Sequence, residues 1–204
     1  MNLPLKADLH IHSNYSDGKS SVRDILNVAV RRGLNVISIT DHDTLSGSLE
    51  AIDIVKEEHI PIEILPGVEI STRCGHLLAY GIEKDIDYDA DVRDVIDAVH
   101  DLGGLISLAH PFQFYRHGAV RLKYFKIVDC IEVFNARSLF IFNKLSNYFC
   151  NRYGKCKTAG SDAHRAEFVG YGLTLIYDRD VMNAMRNRKT DVIGRYSAKM
   201  LILK

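Results

Sequence analysis

The sequence predicts an α/β fold whose strands close into a small barrel, and three observations carry that expectation. Short apolar runs alternate with longer helical patterns along all 204 residues, as in a parallel sheet with helices outside it. The fingerprints that accompany an open doubly wound sheet, G-x-G-x-x-G and the P-loop, are both missing. Residues able to hold a metal fall at the C-terminal ends of the strands, the rim where loops from different strands of a barrel converge.

The elements follow in order. Strands are expected over residues 5–11, 36–40, 62–70, 76–82, 105–109, 130–134, 157–160 and 173–177, short runs that alternate with the helical patterns. The first helix is expected over 22–32, with Val22, Ile25, Leu26 and Ala29 on one face. Ser21 and Asp24 form a capping-box pattern at its start, and Gly33 stands where a C-terminal glycine belongs. A second helix spans 45–59 and stops before Pro61. A third carries Val92, Val95, Ile96 and Val99 and ends at Gly103-Gly104; a fourth covers 138–152 and a fifth 180–186. No repeat or low-complexity linker interrupts the pattern, so residues 1–204 are expected to form one domain.

Composition narrows the function. Lys and Arg number 26 against 26 Asp and Glu, without the basic excess that announces nucleic-acid binding. No apolar run approaches the ~18–20 residues that cross a bilayer, and residues 1–6 do not resemble a secretion signal. The four cysteines show no C-x-x-C pair, as for free thiols in a reducing compartment, so a cytoplasmic location is expected. The nine histidines are more than packing requires, and their positions are informative.

The first strand ends Asp8-Leu9-His10-Ile11-His12, the second Thr40-Asp41-His42-Asp43 and the third Gly67-Val68-Glu69. His76 opens the fourth, His110 follows the fifth, and Gly160-Ser161-Asp162-Ala163-His164 follows the seventh. His10 and His12, two apart on a strand, point to one face. Imidazoles gathered inside a barrel mouth need a metal or a carboxylate beside them. Histidine and carboxylate donors without thiolate suit Zn, Mn or Fe.

These residues carry a family resemblance. Asp8-Leu9-His10-Ile11-His12-Ser13, Ser16-Asp17-Gly18, Thr40-Asp41-His42-Asp43, Pro66-Gly67-Val68-Glu69, Ala109-His110-Pro111 and Gly160-Ser161-Asp162-Ala163-His164 occur in that order. The chain resembles the PHP family, named for polymerase and histidinol phosphatase, of metal-dependent phosphoesterases. It is most similar to the small predicted-phosphoesterase branch. The resemblance implies a distorted, TIM-like barrel of seven strands with two to three divalent ions at its C-terminal rim. His10, His12, Glu69 and Asp162 would hold the first ion; Glu69 would bridge to a second, completed by His76 and His110; Asp17, His42 and His164 would hold a third. Glu69, Asp17 and His164 are the expected catalytic residues. Relatives that process nucleotides often carry a lid domain between the segments holding His76 and His110, whereas the present chain offers there only a short acidic loop, 83–91, and one helix.

The expected function is hydrolysis of small phosphomonoesters, of nucleotide or sugar- or amino-alcohol phosphate type, by a metal-activated hydroxide. A phosphodiesterase or short-oligonucleotide exonuclease on the same ions is the alternative; a metal-dependent amidohydrolase and a non-catalytic metal-binding module rank below it. No membrane or protein partner is implied. Arg137, just past the sixth strand, is the first choice for a phosphate-binding cation, with Lys19 and Arg165 as rivals. Asp41 and Asp43 read equally as carboxylates orienting histidines or as helix N-caps. Phe112, Phe114 and Tyr115 read as packing residues or as a platform for a base. His59, His100 and His117 receive no role, and the apolar residues 200–203 suit an edge or a subunit contact.

Overall fold

The computed structural model describes residues 3–86, 91–119 and 121–196. Its strands are β1 (Leu5–Ile11), β2 (Val36–Ile39), β3 (Glu63–Ile64), β4 (Gly67–Thr72), β5 (Gly75–Tyr80), β6 (Leu105–Leu108), β7 (Cys130–Asn135), β8 (Cys156–Gly160), β9 (Gly172–Ile176) and β10 (Thr190–Gly194). The helices are α1 (Val22–Arg31), α2 (Ser46–Glu58), α3 (Val92–Asp101), α4 (Phe140–Tyr153) and α5 (Val181–Arg186). Residues 200–203, and 87–90 of the acidic loop, lie outside the described residues.

The expected seven-stranded barrel is not what the chain forms. Its strands make two mixed five-stranded sheets, ordered β10-β9-β1-β2-β3 and β4-β5-β6-β7-β8. The run expected as one strand over 62–70 is broken at Leu65-Pro66, where proline cannot donate to a ladder. The part before the break, β3, pairs with β2 in the first sheet, and the part after it, β4, opens the second. Parallel pairing is lost there as well. Residues 72–75 turn β4 into an antiparallel hairpin with β5, with Gly75 at φ 132° in a region that disfavours side chains. At the far end β9 and β10, the latter not expected from sequence, also run antiparallel.

The two sheets meet through side chains and single bridges instead of ladders. The Thr174 hydroxyl donates to the carbonyl of Ala159 (3.0 Å) and accepts from its N–H (2.8 Å), standing in for a β8–β9 ladder. Isolated bridges link Ile11 with Ala163 and His42 with Glu69. Gly160 lets β8 lie against β1, because a Cβ there would strike the backbone and Cβ of His10.

The helices cover the outer faces as their periodicity requires. In α1 Val22, Ile25, Leu26 and Ala29 are buried against Ile37 and Ile39, each large aliphatic contributing about 1.5–3 kcal/mol. Ser21 caps it, its Oγ accepting from the N–H of Asp24 (3.2 Å) and donating to that carboxylate (2.7 Å). In α3 Val92, Val95, Ile96 and Val99 pack on Ile106 and Leu108. The surfaces left between the strand ends are polar, and there the site forms.

Candidate metal centre

Glu69 stands on β4, buried, with a ring of imidazoles around its carboxylate. Oε2 lies 3.1 Å from His12 Nε2, 3.2 Å from His10 Nε2 and 3.6 Å from His42 Nδ1. Oε1 lies 3.0 Å from both His76 Nδ1 and His110 Nε2. His10 and His12 arrive two residues apart on and just after β1, and their Nε2 atoms come within 3.1 Å of each other. The remaining three expected ligands adjoin this group. His164 Nε2 is 3.0 Å from Asp17 Oδ2, His12 Nδ1 is 3.6 Å from Asp17 Oδ1, and His12 Nε2 is 3.7 Å from Asp162 Oδ1.

All nine residues thus converge, although the sub-grouping differs from the one the family resemblance implies. Donor atoms lie within 4.8 Å of one another in the sets His10–His12–Glu69, His10–His110–Asp162, His12–Asp17–His164 and His42–Glu69–His76. His42 groups with Glu69 and His76, while its Nε2 is 3.9 Å from Asp17.

Burial and charge shift these groups strongly. Burial works against the charged form of Glu69, but the charge of His10 and the bonds from His10, His110 and His12 hold it well below the usual carboxylate range. Asp162 is likewise held well below that range, with Arg116, His10, Arg137 and His164 outweighing burial. Burial, reinforced by His164 and His10, lowers His12 to about 3 in spite of Glu69. His10 is buried too, yet Glu132, Glu69 and Asp162 raise it well above its ordinary value. Two imidazole nitrogens, His12 Nδ1 and His110 Nδ1, are buried without a hydrogen-bond partner. His110 and Asp162 both take left-handed backbone, φ 29° and 53°, a strained state that clusters at functional sites. Imidazoles crowded on one buried carboxylate, two of them with a ring nitrogen left unpartnered, fit a divalent ion with N and O ligands.

The cations divide. Arg137 is buried and its Nη1 reaches Asp162 Oδ1 (3.3 Å) and His164 Nδ1 (2.8 Å). Arg116, which the sequence did not single out, donates to Asp162 Oδ2 at 2.5 Å. Lys19 and Arg165 are exposed and line a neighbouring recess with Asn27 and Arg31. Their backbones adjoin the site, Lys19 N–H donating to the His164 carbonyl (2.7 Å).

Other expectations change role. Asp41 neither orients a histidine nor caps a helix: it accepts from the N–H and Oγ of Ser13 (2.8 and 2.6 Å) and from Ser16 Oγ (2.6 Å), pinning the loop that carries Asp17. Asp43 accepts from the N–H of Ser71 (2.7 Å). Phe112 packs on Phe125 and Phe149, whereas Phe114 and Tyr115 are exposed and meet edge to face at 5.5 Å. His59 and His100 lie elsewhere, bonded to the Lys56 carbonyl and to Asp129. His117 stacks on His76 at 5.5 Å, a neighbour that spacing along the chain could not reveal. Glu132 and Asn135 on β7 were also missed. The available signal was an acid inside the apolar run Cys130-Ile131-Glu132-Val133-Phe134.

A family model for the PHP domain matches residues 8–149, and one described as PHP-associated matches residues 140–190. The chain belongs to the PHP family. Membership makes this protein a metal-dependent phosphoesterase, and so a hydrolase. The PHP chain is 32% identical over 143 residues to an uncharacterized protein of Methanocaldococcus jannaschii, covering 65% of this chain and 82% of that one. A 5'-3' exoribonuclease of Haemophilus influenzae is 46% identical over 83 residues, 39% of this chain and 30% of the exoribonuclease. A two-domain protein of Bacteroides vulgatus containing a predicted PHP-like metal-dependent phosphoesterase shares the fold, with a TM-score of 0.83 at 19% identity over 96% of this chain and 67% of that one. Among the described residues no helix is long and apolar enough to cross a membrane.

Proposed function

We propose that this PHP protein hydrolyses small phosphomonoesters, of nucleotide or sugar- or amino-alcohol phosphate type, with two to three Zn, Mn or Fe ions held by His10, His12, Asp17, His42, Glu69, His76, His110, Asp162 and His164. The observation that carries this reading is the single buried carboxylate of Glu69 serving five imidazoles from four segments, two of which present unpartnered buried nitrogens. Ions bound there would lower the pKa of water toward about 7 and offset charge on the attacked phosphate.

The chain's own residues complete the chemistry. Arg137 and Arg116 approach Asp162 from two sides, so guanidinium groups stand where phosphate oxygens would meet the rim, with planar geometry suited to paired contacts. Asp17, the half-exposed member of the set, lies 3.0 Å from the buried His164, so an ion held by this pair would stand on the open side of the cluster, where a substrate enters. The four free thiols fit work in a reducing, cytoplasmic compartment.

A second reading, cleavage of short oligonucleotides, draws on the exposed Phe114–Tyr115 pair beside Arg116, since aromatic faces stack on bases. The test is phosphate release with added Mn across sugar and amino-alcohol phosphates, nucleotides, nucleoside bisphosphates and short oligonucleotides. Inorganic phosphate from monoesters is the expected result. Mononucleotides released from oligonucleotides, with monoesters intact, would favour the second reading, and no turnover of any substrate would overturn both.

A further inference from the structure

Glu132 and Asn135 are three apart on β7, a spacing that in a regular strand sends side chains to opposite faces. Here both point into the site. The β7–β8 ladder runs Glu132 with Thr158 and then Phe134 with Ala159, so Val133 is an extra residue and the strand is bulged. Bulges beside active sites re-aim side chains in this way. Asn143 of α4 secures the bulged end, its Oδ1 accepting from the Asn135 N–H (3.2 Å) and its Nδ2 donating to the Asn135 carbonyl (3.1 Å).

The re-aimed carboxylate is fully committed to bonds with the protein. Glu132 Oε1 accepts from His10 Nδ1 (2.9 Å); Oε2 accepts from the backbone N–H of His110 (2.6 Å) and from Asn135 Nδ2 (3.1 Å). Asn135 Nδ2 also donates to Asp162 Oδ2 (2.9 Å). One buried unit on β7 therefore touches the segments that deliver His10, His110 and Asp162, which is one of the donor sets that cluster within 4.8 Å. With Nδ1–H given to Glu132, His10 presents Nε2 toward Glu69 and His12. The 2.6 Å bond fixes the backbone of His110 in its left-handed turn.

We propose that Glu132, with Asn135, is the positioning unit that sets the tautomer of His10 and the backbone of His110 and the rotamer of Asp162 for ion binding. This inference rests on the proposed function above, in which those residues hold ions. Glu132 is held by a backbone N–H and an amide N–H on Oε2 and by the far ring nitrogen of His10 on Oε1, so it acts through its neighbours; partners of this kind typically govern ion affinity by 10–100-fold.

The test uses the full chain, stripped of ions and titrated with Zn or Mn against a chelating dye. Glu132→Gln keeps the shape but has one acceptor oxygen in place of two, so its NH2 must face either His10 Nδ1, reversing that ring's tautomer, or the N–H donors of His110 and Asn135. It is expected to weaken ion binding about 10–100-fold, with the far-UV spectrum of the ion-free protein unchanged and with activity recovering as Mn is raised. Asn135→Ala, expected to weaken binding about tenfold, carries the test if the first variant does not fold. Wild-type affinity in both variants would overturn this inference and leave the proposed function standing. Wild-type protein that takes up no ion would overturn the proposed function, and this inference with it.

Discussion

The hydroxyl of Tyr80 donates a 2.9 Å hydrogen bond to the backbone carbonyl of Leu9. Tyr80 ends β5 of the second sheet and Leu9 lies in β1 of the first, one residue before His10. Both are fully buried, so the bond ties two sheets that share no ladder near the end of β1, just before His10. Tyr80→Phe keeps the ring and removes the donor, leaving a buried carbonyl short of a partner at a cost of about 1–3 kcal/mol. Urea unfolding is expected to show a midpoint lowered accordingly with the slope unchanged; an unaltered midpoint would mean that the bond is not what joins the sheets.

Glu69 makes a sharper claim about chemistry. Its two oxygens divide five imidazoles, three on one and two on the other. Glu69→Gln removes the charge and turns an amide toward one of those sets. Elemental analysis is expected to find at least one ion fewer per chain than in the wild type, and phosphate release is expected to fall to background. Full ion content with normal turnover would remove Glu69 from its proposed place at the centre of the site.

The cysteines offer a check that is independent of activity. Burial pushes the Cys150 thiol up to about 12, and Cys130 is raised well above its ordinary value by its bond with Cys156 and by burial. At pH 8 a group at about 12 is ionised to about one part in 10,000, and the thiolate is the reactive form. Cys156 is shielded by burial, whereas Cys74 is half-buried. Alkylation of native protein followed by peptide mass analysis is expected to label Cys74 alone, with all four labelled after unfolding. Labelling of Cys130 on β7 or Cys150 on α4 in the native state would show that the packing of α4 on the second sheet opens.

Much of the site was legible because its donors follow a strand-end pattern. His10 and His12 share a face by period-2 geometry, and Glu69 and His110 each end a recognisable apolar run. The capping box at Ser21 and Asp24 was visible for the same reason: its chemistry is local. What the sequence hid was non-local. Pro66 ends a strand, but nothing in the chain around it says that β3 and β4 will join different sheets. Glu132 looks like an anomaly in an apolar run until the bulge at Val133 aligns it with Asn135. Arg116 sits on a short 3₁₀ turn far from any strand end, and only the folded chain brings it to Asp162.

The arginines and the lysine separate the two readings of substrate. Arg137 and Arg116 contact Asp162 within the cluster, and bonds from charged donors contribute about 1.5–3 kcal/mol each. Arg137→Met and Arg116→Met are therefore each expected to lower kcat/KM for a monoester about 10–100-fold. Arg137→Lys is expected to restore it only in part: Nη1 alone contacts both Asp162 and His164, a place one ammonium can take, but the guanidinium's remaining N–H donors for a phosphate are lost. Lys19 and Arg165 behave differently: they line the adjoining recess and carry no ion pair among the described residues. Their replacement by Ala is expected to leave kcat/KM for a small monoester within about threefold, the size of a surface change. If a nucleic-acid strand is the substrate, the same replacements should raise KM for it. They should also flatten the salt dependence of its binding by about 0.7 in log–log slope for each phosphate no longer neutralised. Measuring both substrates on both pairs of variants at two salt concentrations decides which substrate the rim was built to hold.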